Sequence, residues 1–414
     1  MALIGELNLI KYQFQTKSLI SSAVTTPIID LGHHGFADSF FPKNMRQQAS
    51  EKIPLRCRLD SESGLIQLEN LTLAQDRYNL VDYSYTSSNS TTSKNHWLDF
   101  VKSAHSLKNL ENARILEIGS NDGYLLASTL NYTNKILGVD ASYHMSERAN
   151  KSGIKTINGV FGESSKLIDN IKENYTSFDF IFANNVVNHS NNPIKFISDV
   201  SSLLSPKGFF IFEVPYWLDT IKTYRFDQIY HEHITYFTIE SAEYLLNQAG
   251  LGIHDVSIVS YHGSSLRIFA SKKKFDSDHK KNLLQTEKDA NLKNLSTYIN
   301  YSKEIEKIRS KFLYELSEKE NKVVFGIGAA AKANTFLTYY GIDYSKMNFI
   351  LDSSPFKIGK ITPVTLIPIV PDSNIKDLKN GLGVVLAWNL KKDLKNRLLS
   401  VNTNLEFMDS FDKI

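Results

Sequence analysis

Four apolar runs of strand length recur through the middle of the chain: ARILEIG (113–119), NKILGVD (134–140), FDFIFANN (178–185) and GFFIFEVP (208–215). Polar, helix-compatible stretches separate them. Strands that alternate with helices form βαβ units, and such units build a parallel sheet. The expected class is therefore α/β, with a Rossmann-like unit over residues 93–272.

The flanks differ in texture. Residues 1–92 show no βα alternation and run into the Ser/Thr/Asn cluster TSSNSTTSKN, a loop signal, so they read as a small, mostly β domain. Residues 273–320 are rich in Lys, Glu and Asp. Leu283, Leu284, Tyr298, Ile305 and Ile308 fall there at broadly helical intervals, which predicts one or two amphipathic linking helices. A second α/β pattern then begins with NKVVFGIGAA (321–330), MNFILD (347–352) and GVVLAWN (383–389), so 273–414 reads as linker plus a carboxy-terminal Rossmann-like unit. A single core stops growing at roughly 250–300 residues, and 414 residues require more than one.

Charge and cysteine count exclude several classes. The net charge is +3 with the two signs interspersed. A nucleic-acid binder would gather its basic residues into a patch, and a membrane-surface patch is equally absent from the pattern. Cys57 is the sole cysteine, which rules out an internal disulfide and a Cys-rich zinc site. No run reaches the ~20 apolar residues that span a bilayer, and the amino terminus lacks a signal-peptide pattern. A cytoplasmic protein is expected, with no metal, no nucleic-acid partner and no membrane partner; the oligomeric state is not legible.

RILEIGSNDGYLLAS reads as strand, turn and helix, with Gly119 and Gly123 in the turn and Glu117 before it. Glycines let the backbone turn tightly and let a ligand approach. The next run ends in Asp140, placed to accept hydrogen bonds from ribose hydroxyls. That much suits NAD or S-adenosylmethionine alike, and an ordinary structural βα turn is the remaining reading. The wording of the turn discriminates: a dinucleotide site wants G-x-G-x-x-G, whereas this turn carries Asn121 and Asp122 at its tip and an acidic Glu117. Acidic side chains repel a pyrophosphate and attract the ammonium and sulfonium of S-adenosylmethionine. The third run ends in Asn184 and Asn185, followed by His189. These positions line the cofactor edge, although a histidine at a helix start also serves structure.

DQIYHEHITYFT (227–238) packs Tyr230, His231, Glu232, His233 and Tyr236 together. In a zinc metalloprotease helix the two histidines stand at i and i+4. Here they stand at i and i+2, where a strand would turn both to one side, and no third ligand is near. Acid–base work and a structural cluster remain, since a histidine near neutral pKa suits proton abstraction. In VVFGIGAAAKANTF, Gly326 and Gly328 form a second turn and Lys332 stands on the first helical turn, where it can meet a phosphate. The P-loop pattern is absent, and NAD binding or a purely structural turn are the other readings.

Taken in order, LEIGSNDGYLL, EVPYWLDTIKTYRFDQIYHEHITYFT, YHGSSLRIF and GIGAAAKANTFLTYYGI resemble the sugar C-methyltransferase family of deoxysugar biosynthesis. LDSSPFKIGKITP and LIPIV extend the resemblance, which spans about Leu31 to Asn389. It implies three parts: a small amino-terminal domain, a class I S-adenosylmethionine-binding domain and a Rossmann-like carboxy-terminal domain. It implies methylation of a ring carbon, carbon 3 by expectation, beside the keto group of a nucleotide-linked 4-keto-deoxysugar. The family's general base falls on His233, with Tyr230 and Glu232 assisting, and a tyrosine of DYSYTSSNS, Tyr83 or Tyr85, reaching the site. The cofactor residues are Glu117, Gly119, Asn121, Gly123, Asp140, Asn185 and His189. The sugar nucleotide falls to His262, Ser265, Arg267, Gly328, Lys332 and Asn334, since Arg pairs well with phosphate. A silent sugar-nucleotide-binding module, or methylation at a hydroxyl or at carbon 5, are the alternatives.

One departure stands out. Such relatives carry a cysteine-bound zinc in the amino-terminal domain, and PLRCRLDSESGLIQL has Asp60 and Ser63 where a C-x-x-C pair belongs. We therefore expect a metal-free domain packed through Phe36, Phe40, Phe41, Leu55, Leu65, Ile66 and Leu68, at roughly 1.5–3 kcal/mol per fully buried side chain.

Overall fold

The computed structural model describes residues 11–79, 86–88, 90–273, 275, 277–319 and 321–411. The four apolar runs form adjacent strands of a seven-stranded sheet. From edge to edge it runs Gly252–Val259, Ser265–Ser271, Leu204–Pro215, Phe178–Asn184, Ile115–Ile118, Ile136–Asp140 and Thr156–Asn158. The last five pair in parallel, and Ser265–Ser271 is antiparallel to both its neighbours. The central strands are covered on both faces, which is why their sequences are nearly continuous apolar runs. Helix Thr91–Leu107 covers one face. It starts where the Ser90 hydroxyl accepts the Ser93 N–H, and it buries Trp97, Phe100, Val101 and Ala104.

The carboxy-terminal strands form a second, all-parallel sheet in the order Ile369–Val370, Phe349–Leu351, Val323–Ile327, Gly381–Val385 and Leu405–Asp409. The charged stretch before it folds as helices Asp278–Asp289 and Leu295–Ser317. Tyr298 and Ile305 point inward, and Trp217 Nε1 donates to the Tyr298 hydroxyl at 3.2 Å. One apolar core runs unbroken from Leu55 through Phe212 and Tyr298 to Phe336, so the sheets pack on one another.

The amino-terminal region holds a four-stranded antiparallel sheet, and its edge strand is Thr235–Tyr236. That strand comes from the middle of the chain and pairs with Gln67 and Ile66. Two residues carry no detectable period, so sequence pattern alone assigns them to the central unit. Phe36, Phe40, Phe41, Leu55, Leu65, Ile66 and Leu68 are all buried. Cys57 is enclosed in the same apolar core, and burial raises its thiol pKa. The Asp60 carboxylate accepts the hydroxyls of Ser21 at 2.7 Å and Ser63 at 2.5 Å. Ser18 adds a third hydrogen bond. Among the described residues no helix is long and apolar enough to cross a membrane, and no group of three His, Cys, Asp or Glu side chains is arranged to hold a metal.

Candidate active site

A cavity of about 630 Å³ lies where the three sheets meet. The first glycine turn forms one end. Gly119 has φ +71°, and a Cβ there would stand 2.3 Å from Val186 Cγ2, so no larger residue fits the turn. The Gly119 N–H donates to the Val139 carbonyl at 2.7 Å. The Asn121 N–H donates to Asp140 Oδ2 at 2.7 Å, and the Ser142 N–H to Oδ1 at 2.8 Å. Gly123, also left-handed, caps the following helix and lies outside the cavity lining.

This end is acidic and poorly solvated. Burial, then the neighbouring Asp140 and Asp122, holds the Glu117 carboxyl well above the usual carboxylate range, and its Oε2 has no hydrogen-bond partner. Burial likewise pushes Asp140 up to about 6. A ligand bringing positive charge would relieve both. The donor set therefore fits a cationic amino-acid ligand with ribose hydroxyls, and it repels a pyrophosphate. Asn185 (φ +54°) and His189 continue this wall.

The middle of the cavity carries the histidines. His233 Nδ1 lies 3.1 Å from the Gln228 carbonyl, which can only accept, so Nδ1 bears the proton and Nε2 keeps its lone pair. Burial pushes the His233 pKa down to about 3, against the effect of that carbonyl. The Tyr230 ring lies 3.9 Å from the His233 ring and the His189 ring 5.0 Å away, centroid to centroid. His189 Nδ1 is 2.5 Å from the Tyr78 hydroxyl. Burial, then His233 and Arg77, drives the His189 pKa well down.

The YHEH segment is a turn closed by the His233 N–H on the Tyr230 carbonyl, not a strand. The two histidines therefore diverge. His233 faces the cavity, while His231 is buried against Phe36, outside the lining. Glu232 also lines the cavity, and its carboxylate accepts the N–H groups of Asp38 at 2.8 Å and Ala37 at 3.2 Å. Burial pushes it up to about 7.

The far end is basic. Gly328, with φ +86°, and Lys332 line it. Lys332 is 7% exposed, and its buried ammonium has no hydrogen-bond partner and sits 3.9 Å from the centroid of the Trp388 ring. Burial pushes its pKa down to about 8. His262 lines the wall between the two ends in a left-handed conformation, φ +54°. Its carbonyl accepts Gln228 Nε2 at 2.8 Å.

Three residues expected at the substrate lie elsewhere. Arg267 donates to Glu213 Oε1 at 2.7 Å and to Asp99 Oδ2 at 3.0 Å, and stands 2% exposed beneath the sheet. An arginine on the strand next to the sheet edge, beside a buried glutamate, is held by that charge, so it is not available to a phosphate in the cavity. Ser265 is fully buried and donates to the Tyr261 carbonyl. Asn334 Nδ2 donates to the Ala37 carbonyl at 2.6 Å, tying helix Ala331–Tyr340 to the amino-terminal region. Tyr83 and Tyr85 lie outside the described residues. Sequence reasoning missed Tyr78, Gln228 and Trp388, which line or brace the cavity. Gln228 carried a usable signal in its closeness to YHEH; Tyr78 and Trp388 carried none.

Two protein families match successive parts of this chain. Residues 93–256 match the methyltransferase domain family, and residues 260–405 match the C-methyltransferase C-terminal domain family. The chain is 26% identical over 301 residues to the C-methyltransferase NovU of Streptomyces niveus, covering 72% of this chain and 70% of that protein. Among solved structures, magnesium protoporphyrin IX methyltransferase of Synechocystis PCC 6803 aligns with 13% identity over 44% of this chain and 79% of its own, TM-score 0.34. An S-adenosylmethionine-dependent methyltransferase of Clostridium acetobutylicum aligns with 16% identity over 44% and 93%, TM-score 0.35. A match to a methyltransferase domain family is thus continued directly by a match to a C-methyltransferase C-terminal domain family, and the chain is similar in sequence to a C-methyltransferase.

Proposed function

We propose that this enzyme takes its methyl group from S-adenosylmethionine and places it on carbon 3 of a nucleotide-linked 4-keto-deoxysugar. The observation that carries the reading is the polarity of this cavity: acidic Glu117 and Asp140 at one end, histidines at the middle, and Lys332 at the other. Glu117 and Asp140 hold the donor through its cationic and ribose groups, on the floor left open by Gly119. Lys332 meets the diphosphate, with His262 on the same wall. The sugar then lies between them.

A keto group acidifies the neighbouring C–H. His233 is neutral, and its Nε2 lone pair removes that proton while the Gln228 carbonyl steadies the resulting imidazolium. The negative charge growing on the enolate raises the basicity of His233 as the proton moves. Tyr230 and His189 donate to the enolate oxygen. Where the Tyr78 hydroxyl, 2.5 Å from Nδ1, is the donor, His189 carries its proton on Nε2. When bound, S-adenosylmethionine supplies a methyl group on a sulfonium, the electrophile that the enolate carbon needs. Holding both partners aligned contributes ~7–11 kcal/mol of the barrier.

The test is His233→Asn. Loss of a general base lowers the rate by about 10²–10⁴-fold, and solvent exchange of the sugar's α-proton should fall with methyl transfer. Exchange and transfer at wild-type rate would refute the assignment. NMR of the labelled methyl carbon fixes the position: a methoxy signal or a carbon-5 methyl overturns carbon 3.

A further inference from the structure

The two glycine turns are built alike beyond their sequence. Each opens from a strand flanked on one side by a strand ending in aspartate: Ile115–Ile118 beside Ile136–Asp140, and Val323–Ile327 beside Phe349–Leu351, which leads into Asp352. The Gly119 N–H donates to the Val139 carbonyl, and the Gly328 N–H donates to the Leu351 carbonyl at 2.9 Å, in each case the residue before the aspartate. Asp140 accepts from Asn121 and Ser142. Asp352 accepts from Ala329 on Oδ2 at 2.8 Å and from Ser354 on Oδ1 at 2.7 Å. The third strand closes each floor, with Val186 against Gly119 and Ala387 2.6 Å from where a Gly328 Cβ would stand. Both aspartates line the cavity.

The cradles differ in charge. Two residues before the floor glycine, the first has Glu117 and the second has Gly326. The second adds Lys332, 7% exposed and without a hydrogen-bond partner, on the helix that follows. The same ribose-sized frame is thus cation-seeking in one case and anion-seeking in the other.

We propose that Asp352 reads the ribose hydroxyls of a nucleoside diphosphate held in the second cradle, with the diphosphate toward Lys332. Each carboxylate oxygen accepts one backbone N–H and keeps a lone pair for a hydroxyl. The inference rests on the sugar-nucleotide reading above and names the residue that would select the nucleotide. The Asp352 carboxylate also disfavours a ribose carrying a phosphate on these hydroxyls, since like charges would meet there.

The test is calorimetry on the full chain with nucleoside diphosphates of each common base, each beside its 2′,3′-dideoxy counterpart. Wild type should prefer the hydroxylated ligand by roughly tenfold or more, the scale of a charge-assisted hydrogen bond. In Asp352→Asn the two affinities should converge while S-adenosylmethionine binding persists. Loosening of the turn would weaken both nucleotides equally and leave the preference, which separates it from the proposed role. A preference retained in Asp352→Asn overturns the proposal, as does no preference in wild type or no nucleotide binding at all. Methyl transfer to a sugar nucleotide without the preference would sink this inference alone. The preference without any methyl transfer would sink the sugar-methylation reading and leave this one standing.

Discussion

The Glu232 carboxylate accepts the Asp38 N–H at 2.8 Å, with the Ala37 N–H on its other oxygen at 3.2 Å. This contact joins the YHEH turn to the loop that follows strand Thr26–His34 of the amino-terminal region, and the Thr235–Tyr236 strand joins the same region a few residues later. His233 is carried between them. Its place in the cavity is therefore set by the amino-terminal region, although its neighbours in sequence belong to the central unit.

Glu232→Ala should both destabilise the protein and slow it. It leaves two backbone donors without their acceptor, a cost of about 1–3 kcal/mol per buried donor. Chemical denaturation and steady-state kinetics check this. Unchanged stability would show that the clamp contributes nothing.

Cofactor affinity should weaken as the pH falls through about 6, the value to which burial raises Asp140. On the proposed reading, protonation removes the charge that would hold the ribose hydroxyls and offset the sulfonium. Asp140→Asn should lower affinity at pH 8 and flatten the dependence between pH 5 and 8. Calorimetry with S-adenosylmethionine measures it, and an unaltered pH dependence in the variant would assign the titration to another group.

The Asp60 cluster predicts an acid-sensitive amino-terminal region. Burial raises this carboxyl, but hydrogen bonds from Ser63, Ser21 and Ser18 and the Glu62 N–H outweigh it and hold its pKa below the usual range. A depressed folded-state pKa gives stability that is present above the unfolded value of about 3.9 and is lost as pH falls through the folded one. Melting temperature should therefore drop below about pH 4, and Asp60→Ala should lose that component. The same melts with and without chelator, read beside elemental analysis, should coincide. A stoichiometric zinc whose removal lowers the melting temperature would contradict the metal-free expectation.

Arg267→Met should act on stability and leave nucleotide affinity in place. It removes the guanidinium from the fully buried Glu213 carboxylate, which keeps His96 Nε2 at 2.8 Å on its other oxygen, a loss of up to roughly 3–5 kcal/mol. Urea denaturation and calorimetry with a nucleoside diphosphate separate the two effects. A selective loss of nucleotide affinity at unchanged stability would restore Arg267 to the substrate.

What the sequence determined by itself was local. Alternating apolar runs specified the parallel sheet, because burial on both faces demands them. Gly119 and Gly328 marked turns, because only glycine accepts a left-handed φ with a neighbour against its Cα. Asp140 followed from its place at a strand end. Tertiary structure decided the partners. Whether Arg267 meets a phosphate or Glu213 depends on which strands lie side by side, and its own neighbours in sequence say nothing of that. His231 and His233 diverge because the segment turns where a strand was one expectation, and the turn is held by groups near residue 37 and near Gln228. Tyr78 reaches His189 across the packed sheets. Local pattern records how a segment meets water and its own backbone; charge pairing and hydrogen bonds between distant segments exist only once the core has closed.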